Sequence, residues 1–570
     1  MTTTTPETSP RLQPTGRSII AGKITAPSQS PLLPQDAKFY ATDPHTGRTL
    51  PTLFLAASGE EVDRACWASW QAFYQMQDRP ASDRAQLLDA IAQRILDLGE
   101  DLLALATDET GLGPARLVSE RERTVAQLRM FAAVVRKGEW VQPTIDTGHP
   151  SRRPLPKPDL RRMLRPLGPV AVFGASNFPL AYSTAGGDTA SALAAGCPVI
   201  VKGHPGHPGT GELVAQAITQ AVADCNFDPG TFSFLHAGGS REMAVGQQLV
   251  KHAAIRAVGF TGSAAGGMAL ARLGAERQDP IPVFAEMGST NPIFTLPAAL
   301  DSIPEIAERL YASITASNGQ MCTCPGLIFA IRGDGTENLL RALAKSMNEA
   351  PSQTMLNHRV RGVFAKRAGE VTSVPGVEVR GGSPQAAHRV SSGTDESKEP
   401  VRASGALLKT TFEVFRKNPT LHEEVFGPLA IVILCDNEQQ LIDAAAMIHG
   451  SLTGTIWASQ PDVDLARRVQ TILEQRVGRL IYNGVPTGVE VCPSMVHGGP
   501  FPATNNPHTT AVGSYAIHRW ARPICYQNTP ESMLPPELRN GNPMNLRRLV
   551  NGEWTEEGVG KKPADPNATA

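Results

Sequence analysis

The chain has 570 residues, too many for one compact core, because cores stop growing at about 250–300 residues and longer chains divide into domains. With 41% hydrophobic and 19% charged residues and a formal net charge of -1, it carries no field that would draw nucleic acid or an anionic membrane. It has no run of about eighteen apolar residues, its N-terminus MTTTTPETSP lacks the apolar stretch of a secretory signal, and its eight cysteines are scattered, so the sequence reads as a cytoplasmic protein with reduced thiols.

Taken in chain order, residues 1–16 are rich in Thr and Pro and read as a disordered tail. From 83 to 137 the apolar residues recur at helical spacing, in AQLLDAIAQRILDLGEDLLALA and again in RTVAQLRMFAAVV. Residues 142–169, rich in Pro and Arg, read as an extended connector. Between 166 and 290 short apolar runs alternate with helical segments: LGPVAVFGA, TASALAAG, CPVIVKG, ELVAQAITQAVADC, TFSFLHAG, REMAVGQQLVKH, IRAVGFTG, GGMALARLGAE and IPVFAEMG. That alternation predicts an α/β protein with a parallel sheet covered by helices on both faces. Ligands of such sheets sit at the carboxyl ends of the strands, and those ends carry Asn177, Lys202, Gly238, the Gly259–Ser263 loop and Glu286. Residues 387–404 read as a polar loop, a strand is expected near 510–525, and 531–570 reads as a C-terminal tail.

Cys322 and Cys324 are too close for a C-x-x-C redox pair, and no His or Cys lies nearby in sequence at zinc-site spacing, so no metal site is expected. The chemistry concentrates in FGASNFPLA at 173–181, AEMGSTNP at 285–292 and SNGQMCTCPG at 317–326, accompanied by GFTGS at 259–263 and EEVFGP at 423–428. These five ordered elements resemble the signatures of the aldehyde dehydrogenase superfamily, over roughly residues 20–530. Within it, LPKPDLRRML, ASNFPLAYSTAGGDTASALAAGCPV and VHGGPFPATNN are most similar to the 2-oxoglutarate semialdehyde (2,5-dioxovalerate) dehydrogenases, whose relatives include an NADP-linked fatty aldehyde dehydrogenase.

The resemblance implies the aldehyde dehydrogenase fold. A Rossmann-like nicotinamide cofactor domain would occupy 17–142 and 166–285, an α/β catalytic domain 286–490, and a small bridging and oligomerisation extension 143–165 and 505–530. It implies a homodimer or larger homo-oligomer acting on a small aldehyde, with neither nucleic acid nor membrane as partner. It makes Cys322 the nucleophile, Glu286 the base and Asn177 an oxyanion donor. Lys202 would reach the adenosine ribose, Gly259 and Ser263 the phosphate loop, and Glu424 with Phe426 the nicotinamide ribose and ring. The substrate residues would be Arg123, Gln127, Phe178, Tyr182, Met321 and Thr323.

The residues read from their own chemistry agree. An aldehyde gives up hydride only after a nucleophile makes its carbon tetrahedral, and a thiolate does this and leaves a thioester. Asn318, Gly319 and Gln320 are turn-forming, which places Cys322 near a bend. Cys324 is read as packing. Asn177 offers a side-chain amide for the oxyanion, or alternatively serves as a turn residue before Phe178-Pro179. Glu286 at a strand end suits activation of water. The helix after GFTGS offers backbone N–H groups for a pyrophosphate. Pro205 stands where many NAD-using relatives have an acidic residue, so NADP is favoured over NAD, with Lys202 and His204 as counter-charges. Arg123 suits a carboxylate-bearing aldehyde, or else pairs with Glu120 or Glu122 on a solvated face. The expected reaction is 2,5-dioxopentanoate to 2-oxoglutarate, the alternatives being a medium- or long-chain aliphatic aldehyde dehydrogenase and a catalytically silent nucleotide-binding homologue.

Overall fold

The computed structural model describes residues 13–26, 37–384 and 399–560. An antiparallel pair, β1 (Ile19–Ile20) and β2 (Lys23–Ile24), and a hairpin, β3 (Lys38–Thr42) and β4 (Thr49–Leu55), lead into four helices. These are α1 (Gly59–Gln77), α2 (Ala81–Asp97), α3 (Gly99–Thr110) and α4 (Pro114–Lys137). The ends of the helices follow from local chemistry. Ser58 and Glu61 close a reciprocal capping box on α1, while α4 starts on Pro114 and stops at Gly138, whose φ of 73° is left-handed. The connector then holds two strands, β5 (Thr144–Asp146) and β6 (Leu160–Pro166).

The alternating stretch folds as β7 (Val170–Phe173), α5 (Gly187–Ala195), β8 (Val199–Lys202), α6 (Pro208–Asp224), β9 (Phe232–Leu235), α7 (Glu242–Lys251), β10 (Ala257–Thr261), α8 (Ala264–Ala275) and β11 (Val283–Glu286). The sheet order is β11-β10-β7-β8-β9-β1-β2, with β7 to β11 parallel. The chain runs outward one way from β7 and then the other way from β10, so a crevice opens between these two strands at their carboxyl ends. Four-residue strands such as Val170–Phe173 are buried throughout, as expected of a sheet covered on both faces. Val170, Val172, Val199 and Val201 pack toward α2, α4 and α6, and Ala171, Phe173 and Ile200 pack toward α1 and α7. Each fully buried Val or Ile contributes about 1.5–3 kcal/mol.

A second, seven-stranded sheet follows, formed by β12 (Ile293–Thr295), β13 (Leu327–Ile331), β15 (Glu378–Gly382), β17 (Ala406–Thr411), β18 (Leu429–Cys435), β19 (Ser451–Trp457) and β20 (Val477–Tyr482). A small pair, β14 (Gln353–Thr354) with β16 (Arg402–Ala403), lies outside it, and helix α9 (Ile303–Thr315) leads from β12 toward the Cys322 loop. A third sheet has the order β21-β6-β5-β22-β23, using β21 (Ala521–Gln527), β22 (Arg548–Val550) and β23 (Glu553–Thr555).

Three sequence expectations need correction. Residues 13–16 are not tail, because Thr15 N–H, its hydroxyl and Gly16 N–H all donate to Glu212. Residues 531–559 are not tail either, since β22 pairs with β5 and buried Arg548 donates to the Arg539 and Glu557 carbonyls. In the polar loop, Arg402–Ala403 forms a strand, while 387–398 and residues 1–12 lie outside the described residues. No described helix is long and apolar enough to cross a membrane.

Candidate active site

Cys322 lies in the loop between α9 and β13, and the turn expected there is formed by three consecutive left-handed residues, Ser317 (φ 49°), Asn318 (φ 54°) and Gly319 (φ 69°). A Cβ on Gly319 would lie 2.1 Å from the Gly427 carbonyl carbon, so only glycine lets the loop press against the Glu423–Pro428 segment. The loop is tied down on its other sides. The Asn291 amide donates to the carbonyls of Cys322 (2.8 Å) and Cys324 (3.0 Å), the Asn318 amide to Gln353, and Leu356 N–H to the Gln320 side chain.

The Cys322 sulfur lies 3.6 Å from His497 Nε2, and the same nitrogen lies 2.9 Å from Glu286 Oε1. Glu286 is the last residue of β11 and forms a backbone bridge with Thr504; its second oxygen, Oε2, is buried without a hydrogen-bond partner. Burial pushes the Cys322 thiol well above its usual value and the Glu286 charge adds to this, with Arg123 opposing. His497, from the Val-His-Gly-Gly-Pro run, is held by its own N–H donating to Thr510 Oγ1 at 2.9 Å, and Tyr182 lies 6.0 Å away ring to ring. In the sequence this run stood out only as part of a segment that carries the resemblance, and the histidine within it was not singled out. The available signal was a lone imidazole in a glycine-rich turn, where the backbone can approach a site closely.

Asn177 follows β7, and its amide donates to the Gln320 carbonyl at 2.9 Å, which brings it against the Cys322 loop. The Asn-Phe-Pro-Leu-Ala segment is anchored by buried Glu120, which accepts from Leu180 and Ala181 N–H and pairs with Arg116 at 2.5 Å. Glu120 is therefore not the partner of Arg123. Arg123 donates to the Tyr182 hydroxyl at 3.0 Å, and its Nε is buried with no partner. Phe178 meets Tyr182 edge-on at 5.1 Å, so Phe178, Tyr182 and Arg123 form one wall beside His497. Gln127 is buried with its amide against Gly187, Met321 is half-buried, and Thr323 is almost wholly covered. Arg479 of β20, unforeseen in the sequence, is held below its usual value by burial and donates to the Pro486 and Gly488 carbonyls.

A narrow cleft runs past Ser289, Met321, Cys324, Glu424 and Phe426. Burial pushes the Glu424 carboxyl up to about 7, Glu286 adds to the rise and Ser289 N–H opposes it. A Cβ on Gly288 would sit 2.5 Å from Glu424 Oε2. Cys324 points its sulfur at the Ala316 carbonyl, 3.8 Å away. Ser263 caps α8 through Gly266 N–H and leaves the first turn of that helix exposed. Gly259 is corrected: it lies inside β10, where a Cβ would be 2.5 Å from Asp188 and 3.0 Å from Trp520, so it packs the sheet instead of facing a ligand. The counter-charge role read for His204 is corrected as well, because burial holds it well below its usual value, and hence neutral, stacked on His207. Lys202 Nζ lies 3.3 Å from Glu242, and Arg359 lies 3.6 Å from the same carboxylate.

Residues 33–501 match the model of the aldehyde dehydrogenase family. The chain is 44% identical to alpha-ketoglutaric semialdehyde dehydrogenase 2 of Azospirillum brasilense, over 95% of this chain and 100% of the relative. It is also 44% identical to alpha-ketoglutaric semialdehyde dehydrogenase of Acinetobacter baylyi, over 88% and 93%. Among solved structures, betaine aldehyde dehydrogenase of Staphylococcus aureus in complex with NAD+ superposes with a TM-score of 0.74 at 19% identity, covering 91% of this chain and 97% of that one. The match over residues 33–501 and the relatives at 44% identity give one statement: this chain belongs to the aldehyde dehydrogenase family.

Proposed function

We propose that this protein oxidises 2,5-dioxopentanoate (2-oxoglutarate semialdehyde) to 2-oxoglutarate with NAD(P). The relatives at 44% identity support the substrate, and the observation that carries it is the Arg123 guanidinium: beside the nucleophile, with Nε unpartnered and no carboxylate paired to it among the described residues. A buried cation without an anion favours an anionic ligand.

The residues divide the work as follows. The Cys322 proton moves onto His497 with no change in net charge, and the Nε2–H then lies between the thiolate and Glu286 Oε1. The thiolate adds to the aldehyde carbon. The oxyanion is met by the Cys322 backbone N–H and by the second N–H of the Asn177 amide, the first being held by Gln320. After oxidation the acyl group rests on Cys322 as a thioester, and Glu286, with a free Oε2, draws the proton from the hydrolytic water.

The exposed first turn of α8 and the side-chain-free face of Gly288 beneath Glu424 suit a dinucleotide. Lys202 and Ser263 would hold its adenosine ribose and pyrophosphate, and Glu424 with Phe426 its nicotinamide end. When bound, the nicotinamide supplies the hydride acceptor. Pro205 carries no charge to repel a 2′-phosphate, which supports acceptance of NADP, yet Glu242 of α7 places a carboxylate against Lys202. Two like charges about 4 Å apart cost about 1–4 kcal/mol at a protein surface. Glu242→Gln should therefore raise the NADP/NAD ratio of kcat/KM by about 5-fold or more; an unchanged ratio in initial-rate assays would separate Glu242 from the 2′-phosphate.

Arg123→Met tests the substrate. It keeps the apolar stem and removes a charge-assisted contact worth roughly 1.5–3 kcal/mol, so kcat/KM for 2,5-dioxopentanoate should fall about 10- to 150-fold while that for pentanal holds or improves. An equal loss on both aldehydes would turn the reading toward the aliphatic alternative. The open edge of β21 supports assembly of copies into a homo-oligomer.

A further inference from the structure

The catalytic cluster has the composition of a metal site. We propose that Cys322, His497 and Glu286 together bind Zn²⁺, and that the bound ion reversibly silences the enzyme. The cation would take the Cys322 sulfur, His497 Nε2 and a Glu286 carboxylate oxygen, the same groups that the proposed reaction uses for attack and proton transfer, so binding and turnover exclude each other.

The geometry carries this. The three ligand atoms all lie within 4.8 Å of one another. In a tetrahedral zinc site, with Zn–S near 2.3 Å and Zn–N and Zn–O near 2.0–2.2 Å, donors are separated by about 3.4–3.6 Å. The sulfur–nitrogen separation is already 3.6 Å, and the nitrogen–oxygen separation of 2.9 Å must open by roughly half an ångström. Glu286 and His497 are each only 2% exposed, and Glu286 Oε2 has no partner of its own, so one carboxylate oxygen stands unused in a closed space. Three protein ligands with a fourth position left to water is the pattern of an open zinc site.

Charge and ligand softness select the ion. Thiolate and carboxylate carry two negative charges, so a dication gives a neutral complex, which is less costly to bury than the separate charges. A thiolate with an imidazole suits Zn²⁺ and disfavours Mg²⁺ and Ca²⁺, which take oxygen ligands. The balance is Zn²⁺ plus the thiol giving the zinc thiolate and one proton released to solvent, with no redox change. The supports around the ligands, Asn291 on the Cys322 carbonyl and Thr510 on His497 N–H, hold them in place whether or not the ion is bound. With its charge shared with the cation and its side chain fixed toward it, the Cys322 sulfur is a much weaker nucleophile toward an aldehyde.

The test uses Co²⁺ as a spectroscopic probe on the full chain without substrate or cofactor, so that it reads binding independently of turnover. The wild type is expected to give one sulfur-to-cobalt charge-transfer band at one ion per chain, displaced by Zn²⁺. The band should vanish in Cys322→Ser and persist in Cys324→Ser. His497→Gln and Glu286→Gln should each raise the Zn²⁺ dissociation constant at least 10-fold, with thermal melting confirming that each variant is folded. A second measurement needs no variant: Zn²⁺ should protect Cys322 of the wild type from alkylation by iodoacetamide, and EDTA should restore both alkylation and aldehyde oxidation. A band that survives Cys322→Ser, dissociation constants unmoved by both other substitutions, or alkylation unaffected by Zn²⁺ would each overturn the proposal.

Discussion

Cys322→Ser is expected to lower kcat/KM for every aldehyde by about 10⁴-fold, while Cys324→Ser keeps activity within a factor of a few. The two sulfurs are two residues apart, but their surroundings differ. Cys322 lies 3.6 Å from His497 Nε2 beside Glu286, whereas Cys324 turns to the Ala316 carbonyl. Burial already pushes the Cys322 thiol well above its usual value, and a hydroxyl in its place, far less acidic, would yield almost no nucleophile. Nor would it give the thioester that water cleaves readily. The loop is fixed by Asn291, Gln320 and Gly319, so the serine variant should fold and titrate with cofactor normally by fluorescence. Wild-type-like turnover by Cys322→Ser, or collapse of activity in Cys324→Ser, would reverse the assignment.

The next largest effects should separate two residues that share one nitrogen. Glu286→Gln keeps an oxygen for the His497 Nε2–H and so preserves thiolate formation, but glutamine cannot take a proton from water. Turnover should fall about 10²- to 10⁴-fold, and intact-protein mass spectrometry after substrate addition should find the acyl group on Cys322. His497→Gln removes the only imidazole within reach of the sulfur among the described residues. A comparable fall is expected, but without accumulated acyl-enzyme, and iodoacetamide should alkylate Cys322 more slowly at neutral pH. If Glu286→Gln shows no acyl adduct and His497→Gln does, the two roles exchange.

What could be read from the sequence is what repeats locally. Strands such as VAVF and VIVK between helical segments are short-period signals, and each appeared as a buried strand of the first sheet. Cys322, Glu286 and Asn177 stood out in the sequence because each sits in a compact motif, and the structure brings Cys322 and Glu286 to one imidazole and Asn177 to the loop before Cys322. His497 is 211 residues from Glu286, and a contact at that separation has no periodic trace. Gly259 misled because a glycine beside Gly-Ser reads as a phosphate loop; what decided its role was the neighbouring Asp188 and Trp520, from elsewhere in the chain. Arg548–Val550 and Glu553–Thr555 are three-residue strands, shorter than any period can declare.

Those two short strands also protect the molecule from itself. β22 covers the outer side of β5, and Arg548 stitches the turn around it by donating to main-chain carbonyls. A chain clipped after Gln527 would keep Cys322, His497 and Glu286 yet leave β5 with a bare row of amide and carbonyl groups, ready to template on a neighbouring chain. Proteolysis there would be felt first as lost solubility, with the chemistry untouched.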